Sequence, residues 1–101
     1  MVDTISKDEL EAMEGQTYVI GREGHIYIGD SSISRRHAEL KILNGKIHLR
    51  DLNSSNGVFL VSARGAMRFR EGYVSLQQPL LLGKIRCTVG SLLSTLGVLA
   101  G

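Results

Sequence analysis

Three short polar segments stand out in this 101-residue chain as places where chemistry could happen: Gly21-Arg22 at the end of a strand, the Ser-rich stretch SSISRRHAEL over residues 31–40, and DLNSSNGVFL over residues 51–60. Arg22, Arg35 and Arg36 bring fixed positive charge on forked N–H donors, Ser34 and Ser55 bring hydroxyls, and Asn56 brings an amide that both donates and accepts. The carboxylates of these segments are not set out as free general bases. Such a group suits a dianionic ligand with several oxygens. A phosphorylated side chain fits that description, with about −1.5 to −2 charges and three acceptor oxygens. At roughly 1.5 to 3 kcal/mol per charge-assisted bond, a few such bonds reach the ~8 kcal/mol of micromolar binding.

Each residue also has a plainer reading. Arg22 alone reads as a solvated strand-end arginine, and Ser34 and Ser55 alone read as turn-capping hydroxyls; the combination with Asn56 is what favours binding. Ser34, His37 and Asp51 could be drawn as a hydrolytic triad, yet no G-x-S-x-G nucleophile turn accompanies them. Arg64, Arg68 and Arg70 form a second basic cluster. A solvated face explains it best, with the acidic flank of a ligand, or nucleic acid, as the functional alternatives. Nucleic acid is disfavoured because Phe59 and Phe69 fall in strand-like runs, leaving no stacking platform.

The elements that must carry these segments are short apolar runs separated by Gly, Asn, Asp and Ser, the pattern of an all-β sandwich. Nine runs occur: TYVIG, HIYIG, AELKIL, KIHLRDL, GVFLV, MRF, YVSL, PLLLG and IRCTVG. Ala38, Leu40 and Ile42 alternate with Glu39 and Lys41, and Ile47 and Leu49 with His48 and Arg50, so one face of each strand turns inward. Asn44-Gly45 between them predicts a type I′ hairpin turn. Pro79 suits a strand start or edge. His25 and His48 are expected to face solvent. Over SKDELEAM, Ser6 and Glu9 could close a capping box on a helix, while a strand over residues 9–13 is an equal reading. The run SLLSTLGVLAG, residues 91–101, reads as a closing strand end or as a lead into a larger protein.

Length, charge and cysteine usage bound the rest. One small domain with a single core is feasible, and a large substrate pocket is not. The net charge of +2 hides an asymmetry, with residues 1–15 at −4 and the remainder at +6. The lone Cys87 has no second cysteine and no nearby histidine for a metal site, so a buried structural thiol is expected, with no metal and no cofactor. The polar, acidic N-terminus differs from a secretory signal, no apolar run is long enough to span a bilayer, and a cytoplasmic location is expected.

In order and in spacing, Gly21-Arg22, Ser34-Arg35-Arg36-His37 and Asp51 to Gly57 closely resemble the motifs of the forkhead-associated (FHA) domain family. The resemblance covers about residues 10–95, with residues 1–9 as an acidic lead-in and 96–101 as a tail. It implies an 11-stranded β-sandwich of FHA type whose end loops bind phosphothreonine in a partner modified by a Ser/Thr kinase. It implies an adaptor rather than an enzyme, without a nucleic-acid or membrane partner. Carried over, it gives Arg22, Ser34, Arg35 and Ser55 to the phosphate, with Ser55 where threonine is usual, and Asn56 to the peptide main chain. Gly21, His37 and Gly57 would shape the loops, His37 as an internal tether. The same fold recognising a partner without phosphate is the alternative. Val61-Ser62 stands where the family commonly has a second Asn-Gly, and His25 where it often has Asp.

Overall fold

The computed structural model describes residues 5–96. Each of the nine apolar runs contributes a strand: β1 (Thr17–Gly21), β2 (Ile26–Tyr27), β3 (Ala38–Leu43), β4 (Lys46–Asp51), β5 (Val58–Ser62), β6 (Gly65–Arg68), β7 (Glu71–Val74), β8 (Pro79–Leu82) and β9 (Ile85–Thr88). They form two sheets, a five-stranded one in the order β2-β1-β3-β4-β7 and a four-stranded one in the order β6-β5-β8-β9. All neighbouring pairs are antiparallel except the two-residue pairing of β2 with β1.

Period-two alternation sets the register, because a slip of one residue would turn every apolar side chain to water. Leu40 lies opposite Leu49 and Ile42 opposite Ile47 across β3 and β4, and all four are buried. Val58 meets Leu82, and Leu60 meets Leu80, across β5 and β8. Together with Ile20 and Ala38 these residues form the core between the sheets. Each fully buried Leu or Ile contributes roughly 1.5 to 3 kcal/mol by leaving water.

The hairpin turn is as the dipeptide predicts, with positive φ at both Asn44 (56°) and Gly45 (72°). The sequence did not announce its support. The Glu14 carboxylate accepts from the backbone N–H groups of Asn44 and Gly45.

Nine strands are present among the described residues, not the eleven that the resemblance implies. The two stretches left open for further strands are helical. α1 (Lys7–Ala12) begins at a full capping box, in which Ser6 Oγ accepts from Glu9 N and the Glu9 carboxylate accepts from Ser6 N. That reciprocal pair satisfies two donors that a strand over 9–13 would have left to water. Ile5 and Met13, on either side of α1, are buried in the core, so packing begins within the stretch read as a lead-in. α2 (Val89–Ser94) starts at a second such box between Thr88 and Ser91. It buries Val89, Leu92 and Leu93, in place of the closing strand end expected there. Residues 97–101, read as a tail leading into a larger protein, lie outside the described residues. No helix among the described residues is long and apolar enough to cross a membrane.

Cys87 packs against the core from β9, and burial pushes its thiol up to about 11. A raised native pKa stabilises the fold fully below the unfolded thiol's value, near 8.5, and that contribution is lost as pH rises towards 11. Urea midpoints are therefore expected to fall between about pH 8.5 and 11, and a Cys87→Ser variant should lack that component of the decline. Modification of Cys87 by a disulfide reagent at neutral pH should be slow in the native protein and fast in urea.

Candidate functional site

β1 ends at Gly21, which delivers Arg22 into the loop that precedes β2. The β2–β3 connection carries Ser34 to His37 and the β4–β5 connection carries residues 52–57. All three connections leave the same end of the sandwich, and backbone bonds join them. Arg22 N donates to Ser34 O at 3.2 Å and Glu23 N to Arg35 O at 3.0 Å. Only glycine permits this approach at position 21, since a Cβ there would lie 2.1 Å from the Arg35 carbonyl oxygen. Gly21→Ala is expected to cost about 1 to 3 kcal/mol, read as a lowered thermal midpoint.

His37 is fully buried and ties two loops together. Its Nδ1 accepts from Ser34 N at 3.0 Å, which assigns the proton to Nε2, and Nε2 donates to Gly57 O at 2.8 Å. Gly57 takes a positive φ of 86°, and its carbonyl also accepts from Gly83 N at 3.2 Å. Ser54 closes the same turn, accepting from Gly57 N through Oγ and donating its own N–H to the Asp51 carboxylate. Gly21, His37 and Gly57 thus lie at the contacts that join these connections to one another.

Within this frame Arg22, Ser34, Arg35, Ser55 and Asn56 line one open depression of about 270 Å³. That is several times the ~30 Å³ share of one water, so a tetrahedral anion fits. Arg22 is held by a 2.6 Å bond from Nε to Ile33 O, which leaves its terminal nitrogens free of that contact. Ser34 Oγ accepts from Ser55 N at 3.0 Å, so its own proton remains available for an anion. Asn56 uses Nδ2 to bond Ser32 O at 2.9 Å. Arg35 is exposed at the rim, its Nε 3.6 Å from the Glu23 carboxylate.

Sequence reasoning missed the second tier of support. Ser32 is buried, and its Oγ accepts from Lys84 N at 2.9 Å, clamping the β8–β9 turn to the Ser-rich loop. Ser32 Oγ and N both donate to the Asp30 carboxylate, and these bonds, aided by nearby Lys84, hold its carboxyl below the usual carboxylate range. The only advance signal was Asp-x-Ser spacing, which is common in turns.

The paper triad does not assemble. Both ring nitrogens of His37 are engaged by backbone groups, while Asp51 turns to Ser54 N and lies 3.5 Å from Arg68. His25 faces solvent as expected, yet its Nδ1 also accepts from Val19 N at 2.9 Å. His48 is half-buried on the outer sheet face, 3.6 Å from Glu71 and edge-on to Tyr73. A larger depression, about 490 Å³, lies by the Asn44-Gly45 turn at the far end of the sheet; its only charged lining residue is Lys46.

The FHA domain family model matches residues 18–77, more than half of the chain, including the three connections that carry Arg22, Ser34 to His37 and residues 52–57. The chain belongs to the FHA domain family. Among solved structures this FHA domain is similar to that of CT664 from Chlamydia trachomatis, with 32% identity over 72% of this chain and 73% of that one and a TM-score of 0.63. An FHA domain from a study of phosphothreonine-dependent FHA interactions is 28% identical over 69% of this chain and 71% of its own, with a TM-score of 0.61. The FhaA FHA domain, solved with the intracellular domain of Rv3910, is 26% identical over 69% and 75%, with a TM-score of 0.59. A comparison with curated proteins returns no match. In this FHA domain Val61 and Ser62 are simply the last residues of β5, outside the depression.

Proposed function

We propose that this FHA domain is a phosphothreonine-dependent protein–protein interaction module, an adaptor that docks a partner after a Ser/Thr kinase has modified it. The observation that carries this reading is the convergence of Arg22, Ser34 and Ser55, from three separate connections, on one open depression. The phosphothreonine-dependent interactions named for a similar FHA domain lend it support.

In this reading the terminal nitrogens of Arg22 and the Ser34 and Ser55 hydroxyls bind the phosphate, a set of donors matched to its acceptor oxygens. Arg35 turns from Glu23 towards the same charge. Asn56, anchored through Nδ2 on Ser32, presents its Oδ1 and remaining N–H to the peptide main chain. The domain acts as an adaptor in the cytoplasm, without a catalytic step, a cofactor, or a nucleic-acid or membrane partner. Binding weakens with salt, because attraction between exposed charges is screened over about 8 to 10 Å at physiological ionic strength.

Calorimetry with an oriented phosphothreonine-peptide library, with unmodified and phosphoserine controls, tests the reading. Micromolar affinity for phosphothreonine peptides and none for unmodified ones is the expected result. Equal affinity for both, or partner capture unchanged by phosphatase treatment, would replace it with phosphate-independent recognition on the same fold.

A further inference from the structure

The two sheets differ sharply in charge. No Asp or Glu occurs from residue 52 to 70 or from 72 to 101, and these segments supply all four strands of the β6-β5-β8-β9 sheet. Arg64, Arg68, Arg70, Lys84 and Arg86 all fall within them. The outer face of the other sheet instead alternates sign, with Glu39 3.8 Å from Arg50 and Glu71 3.6 Å from His48.

Register shows what the cationic sheet presents to water. Leu80, Leu82 and Val58 point inward and are buried, so Phe59, Val61 and Leu81, at the alternate positions of β5 and β8, point out. These three are half-buried and take no part in the core cluster. One row across the strands reads Arg68, Phe59, Leu81, Arg86. Its centre is apolar and its two ends are guanidinium groups. Arg68 stacks 5.7 Å from the centre of the Phe59 ring and shares its charge with Asp51 at 3.5 Å. Arg86 is exposed and has no ion-pair partner among the described residues.

We propose that this face is a second docking surface, separate from the phosphate site, for an extended acidic segment of a partner protein. Charge complementarity and spacing define the segment. Arg68 and Arg86 stand three strand spacings apart, about 14 Å at ~4.8 Å each. An extended chain covers about 13 Å in four residues, and residues i, i+2 and i+4 share one face. The fitting pattern is therefore carboxylate-x-apolar-x-carboxylate, its ends on Arg68 and Arg86 and its central side chain on Phe59 and Leu81.

The test titrates the ¹⁵N-labelled full chain with the unphosphorylated peptide Gly-Ser-Glu-Ser-Leu-Ser-Glu-Ser-Gly, read by amide shifts. Saturable shifts at Phe59, Leu81 and Arg86 are expected, with affinity at least fivefold lower in Arg86→Glu and also lowered in Arg86→Gln. Arg22→Ala should leave this titration unchanged, and Arg86→Glu should leave phosphothreonine-peptide binding within twofold, so the two sites stand or fall separately. The proposal is overturned if no shifts appear, if the same peptide with Lys for Glu binds as well, or if only an oligothymidine 8-mer or phosphatidylserine vesicles occupy the face.

Discussion

Arg22→Ala is expected to weaken phosphothreonine-peptide binding by at least about thirtyfold while the domain stays folded. Removing one partner of a hydrogen-bonded charge pair costs about 2 to 5 kcal/mol, and every ~1.4 kcal/mol is a factor of ten. A micromolar complex would then weaken to tens of micromolar or beyond, a shift that calorimetry reads. The fold should tolerate the change, because the exposed side chain makes one bond to the scaffold, from Nε to Ile33 O. Its loss costs about 1 kcal/mol, a drop of roughly 4 to 8 °C in the thermal midpoint for a domain of this size. Arg22→Lys sharpens the test. One ammonium cannot both bond the Ile33 carbonyl and present a fork to the anion, so retained charge alone should restore only part of the affinity. Full binding by the lysine variant would show that Arg22 acts as a point charge, and full binding by the alanine variant would remove the phosphate site from this depression.

How much of this could be read from the chain depended on how local the determinants are. Ala38-Leu40-Ile42 and Ile47-Leu49 alternate visibly, and Asn44-Gly45 supplies two positive-φ residues in place, so the β3–β4 hairpin was legible in full. The residues of the candidate site could be grouped in advance because three motifs stand in order and at matched separations, and the fold brings them to one depression, although Ser34 and Ser55 individually look like ordinary turn serines. What could not be read is held by contacts between distant positions. Lys84 N reaches Ser32 Oγ across 52 residues and the Asn44 and Gly45 amides reach Glu14 across about 30. No periodicity encodes such pairings. HIYIG has the composition of a full strand, yet only Ile26 and Tyr27 pair. At the N-terminus two local signals competed, and the Ser6–Glu9 box decided for helix because it answers otherwise unsatisfied donors. The Glu23 partner of Arg35 was equally hidden, since nothing in the spacing of a loop arginine tells which carboxylate a neighbouring turn will bring beside it.

His37→Ala should produce the largest loss of stability of any single change at the binding end. The imidazole is fully buried, and its two nitrogens answer the Ser34 N–H and the Gly57 carbonyl, groups on two different loops. Truncation leaves the part-buried Ser34 N–H without its acceptor and takes one of two donors from Gly57 O, which keeps Gly83 N. Each unsatisfied buried group costs about 1 to 3 kcal/mol, and the cavity left by the ring adds to it. A total near 3 to 5 kcal/mol is expected, a large part of the ~5 to 15 kcal/mol that holds a small domain together. Urea denaturation should show it as a lowered midpoint with an unchanged slope. His37→Gln, whose amide could meet only part of this geometry, should fall between. Binding is expected to fail in the alanine variant for a different reason than in Arg22→Ala. With the tether gone, the loop bearing Ser34 and the loop bearing Ser55 lose their shared anchor, so amide hydrogen exchange should accelerate in both loops at once while the β3–β4 hairpin stays protected. A variant that binds peptide normally with both loops still protected would mean that the Ser55–Ser34 and Asn56–Ser32 bonds suffice to hold the site, and that His37 serves the core alone.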